Sequence, residues 1–342
     1  MDIIGLDLHK RESQLCILTE DGEILERRII TSRERFTAVL GHRPPARILL
    51  EASTESEWVA RHLESLGHAV IVADPNFAPM YATRSRGVKT DRRDARTLME
   101  AARLGAYRAI HRASAAQRHV RAELAVRDAL IRTRTRYVNV VRALTRGDGL
   151  RLPSGGPEHL EAKLAALPVP ALLDAEMAPL RFLLGPLNDE ILAADARLAV
   201  VVARDPVVTQ LCTAPGIGPV TAVAFVATLD VVTRFTSAHQ VEAYLGLTPR
   251  EYSSGERQHR GRISKTGNAR MRYLLVEAAW RLLRSKGPAA APLRAWAEGI
   301  AQRRGRSIAA VALARRLAGI LYAMWRDGTD YRTRGAAAVA VA

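Results

Sequence analysis

The first 75 residues restrict the fold most, because short apolar runs alternate there with turn residues. Three strand-like runs, 3–8, 14–19 and 23–30, come first, and Asp21 with Gly22 between the second and third predicts a hairpin. Two further apolar runs, in "RILLEAS" and "HAVIVADP", flank the amphipathic "ESEWVARHLESLG". Antiparallel strands followed by alternating strands and helices predict a mixed α/β sheet.

The rest of the chain has mostly helical patterns. Apolar residues recur at helical spacing over 117–146, and Gly147 is the stop signal. A second helix carries apolar residues at alternating spacings of three and four: Leu184, Leu187, Ile191, Ala194, Leu198 and Val201. This pattern favours either an antiparallel helical hairpin or a dimer zipper, and the spacing leaves both open. The Gly/Pro-rich "GDGLRLPSGGPEH" between the helices predicts a linker and a domain boundary.

The fold class expected is therefore α/β plus α. We predict an α/β domain over 1–116, a helical segment with a coiled-coil-like pattern over 117–204, a mostly helical domain over 205–334, and a disordered tail over 335–342.

Composition favours a polyanionic partner. Lys and Arg number 51 against 35 Asp and Glu, a net charge of +16, so nucleic acid is the expected ligand unless the Arg excess only reflects a GC-rich genome. Cys16 and Cys212 both lie in apolar runs, which favours a reducing cytoplasm. We expect no signal peptide and no membrane span, and hence a cytoplasmic protein associated with the nucleoid.

Four acids stand out by their positions: Asp7, Glu51, Asp91 and Asp94. Asp7 lies within the first apolar strand and Glu51 ends a later one, while Asp91 and Asp94 share one face of a helix. An acid inside an apolar strand is costly unless a cation compensates its charge. The set therefore predicts a two-ion Mg²⁺ site of the kind that suits phosphodiester chemistry.

A structural role for these acids is the alternative. Asp91 could be the N-cap of its helix and Asp94 an acid favoured by the helix dipole, while Glu51 could be exposed at a strand end. Basic residues near the pair are predicted to contact phosphate: Lys89, Arg92 and Arg93.

A second candidate site begins at "LCTAPGIGPVTAVAFVATL". Gly216 and Gly218 permit a tight turn between two helices, so that free amides of the second helix could hold a phosphate, although a plain helical corner would need the same glycines. The basic loop "REYSSGERQHRGRISKTG" follows. Its predicted phosphate contacts, together with two residues of the next helix, are Arg250, Arg257, Arg260, Arg262, Lys265, Arg270 and Arg272.

The two serines of this loop, Ser253 and Ser254, either form a turn with Gly255 or supply a nucleophile. No His and Asp arrangement of the hydrolase type is evident nearby. The histidines show no paired ligand spacing, so zinc is not implied.

Six motifs in order resemble a known family. "IIGLDLHK", "LLEAS", "KTDRRDAR", "PGIGPVTA", "YLGLTPREYSSGE" and "GRISKTGNARMRYLL" resemble bacterial insertion-sequence transposases of the Asp-Glu-Asp-Asp type, the family numbered one-ten, which includes the Piv-like DNA invertases. The resemblance covers nearly the whole chain.

The resemblance implies a RuvC-like, RNase H-type N-terminal domain whose acids match Asp7, Glu51, Asp91 and Asp94. It also implies a C-terminal transposase domain with a helix-hairpin-helix-like motif, in which a serine attacks DNA. Ser254 matches that nucleophile, with Ser253 as runner-up. The implied partners are donor and target DNA, a non-coding bridge RNA, and further copies of the chain in dimers that form tetramers through a segment matching about 117–204.

Two other functions stay open from the residues. One is a metal-only nuclease, such as a junction resolvase, whose serine loop only binds phosphate. The other is a non-enzymatic protein that binds nucleic acid, although carboxylates placed as these are would repel phosphate without a metal.

Overall fold

The computed structural model describes residues 1–82, 90–251 and 260–331, without the side chain of Arg260. The chain divides into two compact units, Met1–Ala113 and Ser114–Ala342. The division lies between Ala113 and Ser114, not in the Gly/Pro-rich linker at 147–159, which joins two helices of the same unit. The finer bounds predicted from the sequence, at 116, 204 and 334, stay predictions.

The first unit is built around a five-stranded sheet. Its elements are β1 (Ile3–Leu8), β2 (Glu12–Leu18), β3 (Ile24–Ile30), α1 (Arg33–Leu40), β4 (Arg47–Glu51), α2 (Ser56–Ser65), β5 (Ala69–Ala73) and α3 (Asp91–Leu104). The strand order is β3-β2-β1-β4-β5, with β2 antiparallel to β1 and β3, and β4 parallel to β1 and β5. The predicted mixed sheet is confirmed.

Alternation along the strands gives the sheet two covered faces. Phe36 of α1 and Leu63 of α2 pack with Ile48 of β4 on one face. On the other face, Leu98 of α3 packs with Leu49 of β4. The site described below lies on the face that α3 covers.

The second unit is mostly helical. Its elements are α4 (Ala115–Gly147), α5 (Leu160–Ala165), α6 (Ala171–Arg204), α7 (Pro206–Leu211), α8 (Pro219–Leu229), α9 (Ala238–Tyr244), β6 (Pro249–Glu251), β7 (Arg260–Ile263), α10 (Ala269–Arg284), α11 (Ala291–Arg304) and α12 (Arg306–Asp327).

The long helices α4 and α6 form an antiparallel hairpin. Near its base Leu124 shares a hydrophobic cluster with Leu198, and near its tip Val141 shares another with Met177. Ile191, also in the predicted apolar stripe of α6, is buried as well. Because α4 lies against α6 along this stripe, the structure favours the intramolecular hairpin over a zipper that uses the same residues.

One core joins the base of the hairpin to the later helices, and α12 runs through it. In the described part of the chain, α12 alone has the length and apolarity to cross a membrane, but half of its apolar window is buried. Leu313, Leu317 and Leu321 are fully buried in this core. We therefore assign α12 as a core helix.

Candidate active site

Two of the predicted acids lie on the sheet face that α3 covers. Asp7 follows Gly5 by two residues on β1, and Glu51 follows Leu49 by two residues on β4. Gly5 and Leu49 both face α3. Since side chains two apart on a strand share a face, Asp7 and Glu51 are directed to the same side.

Gly5 sets how closely α3 approaches β1. A Cβ at this position would overlap the carbonyl oxygen of Ala95 and the amide of Met99, and it would lie 2.9 Å from the Met99 Cα. Only a residue without a side chain permits this contact. The glycine therefore brings the start of α3 close to Asp7.

The remaining two acids lie in the first turn of α3. Thr90 is the N-cap, because its hydroxyl accepts a hydrogen bond of 3.3 Å from the amide of Arg93. The alternative in which Asp91 caps the helix is therefore wrong, and Asp91 is instead the first helical residue. Asp91 is exposed and Asp94 is half-buried.

His9 joins this group, although the sequence analysis did not single it out. Its Nε2 lies 3.3 Å from Asp7 Oδ2 and 3.4 Å from Asp91 Oδ1. One ligand atom from each of the three residues falls within 4.8 Å of the others. The signal was present in the sequence, because a residue two positions after a strand acid shares its face.

Asp7 is poorly solvated. Its side chain is 13% exposed, and its buried Oδ2 accepts no hydrogen bond from any residue that the structure describes. Burial raises the pKa of Asp7 to about 6; His9 opposes this shift, and the charges of Asp94, Asp91 and Glu51 add to it. The other three acids therefore act on the charge of Asp7.

Glu51 has a defined orientation. The hydroxyl of Tyr81, in a short 3-10 helix at Ala78–Tyr81, donates a hydrogen bond of 2.6 Å to Glu51 Oε1. Glu51 is half-buried, so it is not the fully exposed strand terminus of the structural alternative.

These residues fit a divalent cation. Oxygen ligands from several carboxylates are what Mg²⁺ prefers, and a cation would satisfy the buried oxygen of Asp7 that lacks a hydrogen bond. A positive charge would also offset the mutual repulsion that helps to raise the pKa of Asp7.

The basic residues predicted around the acids have mixed surroundings. Arg92 is exposed and forms an ion pair with Glu26 of β3. The Arg93 amide is engaged by the Thr90 cap. Lys89 lies outside the described residues.

In the second unit, Gly216 has a packing role. Its φ is +79°, and a Cβ there would lie 2.8 Å from Leu282 Cγ of α10. Gly218 is the N-cap of α8, where no side chain caps the helix. The amides at this end are thus not engaged by a side-chain cap, as a phosphate contact requires.

Two predicted phosphate contacts at the start of α10 are used inside the unit. Arg270 lies 2.6 Å from Asp128 of α4 in a largely buried ion pair. Arg272 donates to the carbonyls of Leu245, at 3.0 Å, and Thr266, and burial lowers its pKa. Arg272 therefore holds the loop before α10, and Arg270 joins α10 to α4.

The serine segment is bracketed by a two-stranded ribbon. Strands β6 and β7 pair antiparallel, with Glu251 opposite Arg260. Arg250 donates to the carbonyl of Ser264 at 3.2 Å, and Arg262 and Lys265 are exposed. The remaining predicted residues lie outside the described residues: Ser253, Ser254, Arg257 and the side chain of Arg260.

Comparison with known families gives two matches. A family described as transposase, the DEDD transposase of IS110 type, matches residues 4–147, and the family described as transposase IS116/IS110/IS902 matches residues 208–293. A probable family 20 transposase of Pseudomonas aeruginosa is 33% identical over 340 residues, covering 96% of this chain and 98% of that protein. The chain belongs to the IS110/IS116/IS902 family of transposases.

Other transposases of insertion sequences are similar over comparable lengths. The transposase for IS1111A of Coxiella burnetii is 28% identical over 341 residues, covering 96% of this chain and 91% of that protein. The transposase for IS1328 of Yersinia enterocolitica is 29% identical over 333 residues, covering 96% and 98%.

Membership of the IS110/IS116/IS902 family makes the protein an enzyme that acts on DNA. The five-stranded sheet is the RNase H-like DEDD domain, which implies a divalent metal, and the helical region after it carries the second family match. The non-enzymatic alternative is set aside.

Proposed function

We propose that this transposase cleaves and exchanges DNA strands in a Mg²⁺-dependent reaction that passes through a serine. The observation that carries the proposal is the buried carboxylate oxygen of Asp7, which accepts no hydrogen bond from the described residues and lies among three further acids. A fold retains such a costly group when an external cation completes the site.

The chain's own residues have separate tasks in this proposal. Asp7, Glu51, Asp91 and Asp94 hold the metal, with His9 within ligand distance of two of them. Bound Mg²⁺ supplies positive charge for the phosphoryl oxygens and lowers the pKa of an attacking hydroxyl. Tyr81 holds the Glu51 carboxylate, and Gly5 lets α3 present its acids.

Ser254 is the proposed nucleophile. Its Oγ loses a proton and forms a bond to the phosphorus of DNA. The bond from that phosphorus to one deoxyribose oxygen breaks, and the freed oxygen takes up a proton and leaves as a hydroxyl. The hydroxyl of a second strand then attacks the phosphoserine and releases Ser254, so the number of phosphodiester bonds is conserved. The family match over 208–293 includes this loop and supports the assignment.

Trapping a covalent adduct tests the serine. A suicide DNA substrate incubated with the full chain and Mg²⁺ should give a protein–DNA adduct with the natural chain and with Ser253→Ala, but none with Ser254→Ala. An adduct that persists in Ser254→Ala and is lost in Ser253→Ala would move the nucleophile by one residue. Cleavage without an adduct in either variant would support the metal-only nuclease.

A non-coding guide RNA is the proposed source of site selection. The charge of +16 favours a polyanion, and exposed Arg262 and Lys265 beside the serine segment suit phosphate contacts. The chain, expressed with the DNA that flanks its gene, should co-purify with one structured RNA from that DNA. Recovery of only random cellular RNA would contradict guidance.

Dimers that assemble into tetramers are the proposed active form. Three apolar side chains of α6 outside the hairpin's own core support this: Leu172 is 75% exposed, Phe182 78% and Leu192 66%. Light scattering should show that Phe182→Glu with Leu192→Glu dissociates the oligomer. Leu104→Glu, another exposed apolar position, is the matched control and should not.

A further inference from the structure

The tip of the α4–α6 hairpin contains a cavity that the proposed reaction does not use. It has a volume of about 390 Å³ and is lined by Arg142, Arg146, Leu150, Arg151 and Leu152. We call it the tip cavity. Three of its five lining side chains are guanidinium groups, and no lining residue is acidic.

The arginines of α4 differ in how their charges are compensated. Toward the base of the hairpin, Arg127 is paired with Asp195 and Arg132 with Asp128, at 2.8 Å. At the tip, the one group among the described residues to which Arg142 donates is the carbonyl of Gly155, at 3.5 Å. Arg146 and Arg151 form no ion pair with any acid in the described ranges. The tip cavity therefore brings together three arginines that no acid in the described ranges pairs.

Helix electrostatics explain only part of this cluster. A basic residue in the last turn of a helix is stabilised by the helix dipole, which accounts for Arg146. Arg142 lies a turn earlier, and Arg151 lies beyond the helix. Three like charges around one cavity repel one another, and that repulsion would be relieved by an anion bound among them.

The tip cavity lies only partly within the two family matches, which cover 4–147 and 208–293. Arg142 and Arg146 fall in the first match, whereas Leu150, Arg151 and Leu152 fall between the two. The cavity belongs wholly to the second unit, whereas the acid cluster belongs to the first.

We propose that the tip cavity binds the phosphodiester backbone of a nucleic acid strand, as a site separate from the acid cluster. Guanidinium groups donate paired hydrogen bonds to phosphate oxygens, and three of them match successive phosphates. Leu150 and Leu152 offer apolar surface to the sugars between the phosphates. The proposal does not depend on the serine nucleophile or on a guide RNA.

Salt-dependent binding tests the tip cavity. The full chain is titrated, with EDTA present, against three labelled probes of equal length: single-stranded DNA, duplex DNA and an RNA hairpin. Arg142→Gln, Arg146→Gln and Arg151→Gln together should weaken binding of at least one probe on the order of 10- to 100-fold at 0.1 M salt. The slope of log affinity against log salt should fall by about 2 to 3. The probe with the largest loss identifies the nucleic acid.

A control variant that loses the same number of positive charges separates the effect of the tip cavity from the effect of overall charge. Arg197→Gln, Arg303→Gln and Arg304→Gln remove three exposed arginines elsewhere in the unit and should change affinity much less. Equal losses in both triple variants, or no loss in the first, would overturn the proposal. Photo-crosslinking of the natural chain gives an answer that does not depend on folding of a variant: crosslinks within 142–152 support the site, and their absence contradicts it.

Discussion

The first unit places the buried acid Asp7 among three other acids, whereas the second unit pairs Arg270 with Asp128 and directs Arg272 to two backbone carbonyls. Both sets of residues were predicted from the sequence to act on DNA. Both sets show a cost of burial, since burial raises the pKa of Asp7 to about 6 and lowers the pKa of Arg272, but Asp7 lies in addition among charges of its own sign, those of Asp91, Asp94 and Glu51.

This difference teaches that charge composition alone does not locate a binding site. A charged side chain with a partner inside the fold stabilises the fold, and one without a partner is available to a ligand. By the same criterion the tip cavity, with Arg146 and Arg151 unpaired among the described residues, is a better candidate for phosphate than the start of α10.

The largest expected effect is on catalysis. Asp7→Asn should lower Mg²⁺-dependent strand cleavage about 10³-fold or more, because it removes a ligand charge that supports several kcal/mol of transition-state stabilisation. Gel-based cleavage assays with the matching nucleic acids measure it. Glu12→Gln, in an exposed ion pair of the same sheet, should stay near the natural rate. Comparable losses in both variants would mean that Asp7 has no special role.

Gly5→Ala should break the geometry of the acid cluster without changing any charge. The added methyl overlaps backbone atoms of α3, so we expect about 3 kcal/mol of lost stability and a marked loss of cleavage. Chemical denaturation and the same cleavage assay measure the two effects. Gly299→Ala in α11, where a Cβ meets nothing within 4 Å, should stabilise slightly. Normal cleavage by Gly5→Ala would show that α3 need not approach β1 so closely.

The pH dependence of the metal-free chain should reveal the strain at Asp7. A carboxyl whose folded pKa is about 6 binds its proton more tightly when folded than when unfolded. The folded state therefore loses stability as the pH rises from about 4 through 6, and this stability is not regained at higher pH. Asp7→Asn should raise the local stability of β1 by about 2 kcal/mol at pH 8, since the amide is also desolvated, and by nothing at pH 4.

Hydrogen exchange of the β1 amides, corrected for intrinsic rates and measured with EDTA, gives these local stabilities. The matched control is Glu12→Gln, which should show no such difference between pH 4 and 8. A benefit of Asp7→Asn that is equal at both pH values would argue against an ionised, buried carboxylate.

The smallest expected effect concerns Arg272 in the second unit. Arg272→Gln should cost about 1 to 2 kcal/mol of stability, because two carbonyls lose a charged donor, yet leave the salt dependence of nucleic acid binding unchanged. Thermal unfolding and the titration described for the tip cavity measure both. A lowered salt slope with unchanged stability would indicate that Arg272 contacts phosphate, as the sequence predicted.

Much of the first unit could be predicted because its signals are local. The five strands follow from short apolar runs, and an acid inside the first run indicates its buried position at Asp7. His9 was not predicted because the histidines show no paired ligand spacing. It lies two residues after Asp7, just beyond the end of β1, and its ring contacts the Asp7 carboxylate. Thr90, the observed N-cap, stands one residue before Asp91 and also has a side chain that can cap a helix, so the sequence offers two candidates.

The second unit was harder to predict because its partners are distant in sequence. No residue near Arg270 in the sequence indicates that it pairs with Asp128, which precedes it by more than 100 residues and lies on another helix. The Gly/Pro-rich linker predicted a domain boundary, but it connects two helices whose apolar faces pack together. Composition cannot separate a turn within a unit from a link between units.

Metal-dependent protection of the acid cluster tests the central claim most directly. Hydrogen exchange of the full chain at pH 7.5 is compared with and without Mg²⁺, for the natural chain and Asp7→Asn. The account predicts that Mg²⁺ slows exchange in β1 and in the first turns of α3 of the natural chain and leaves Asp7→Asn unaffected. Equal protection in both proteins, or none in either, would contradict a metal site at Asp7.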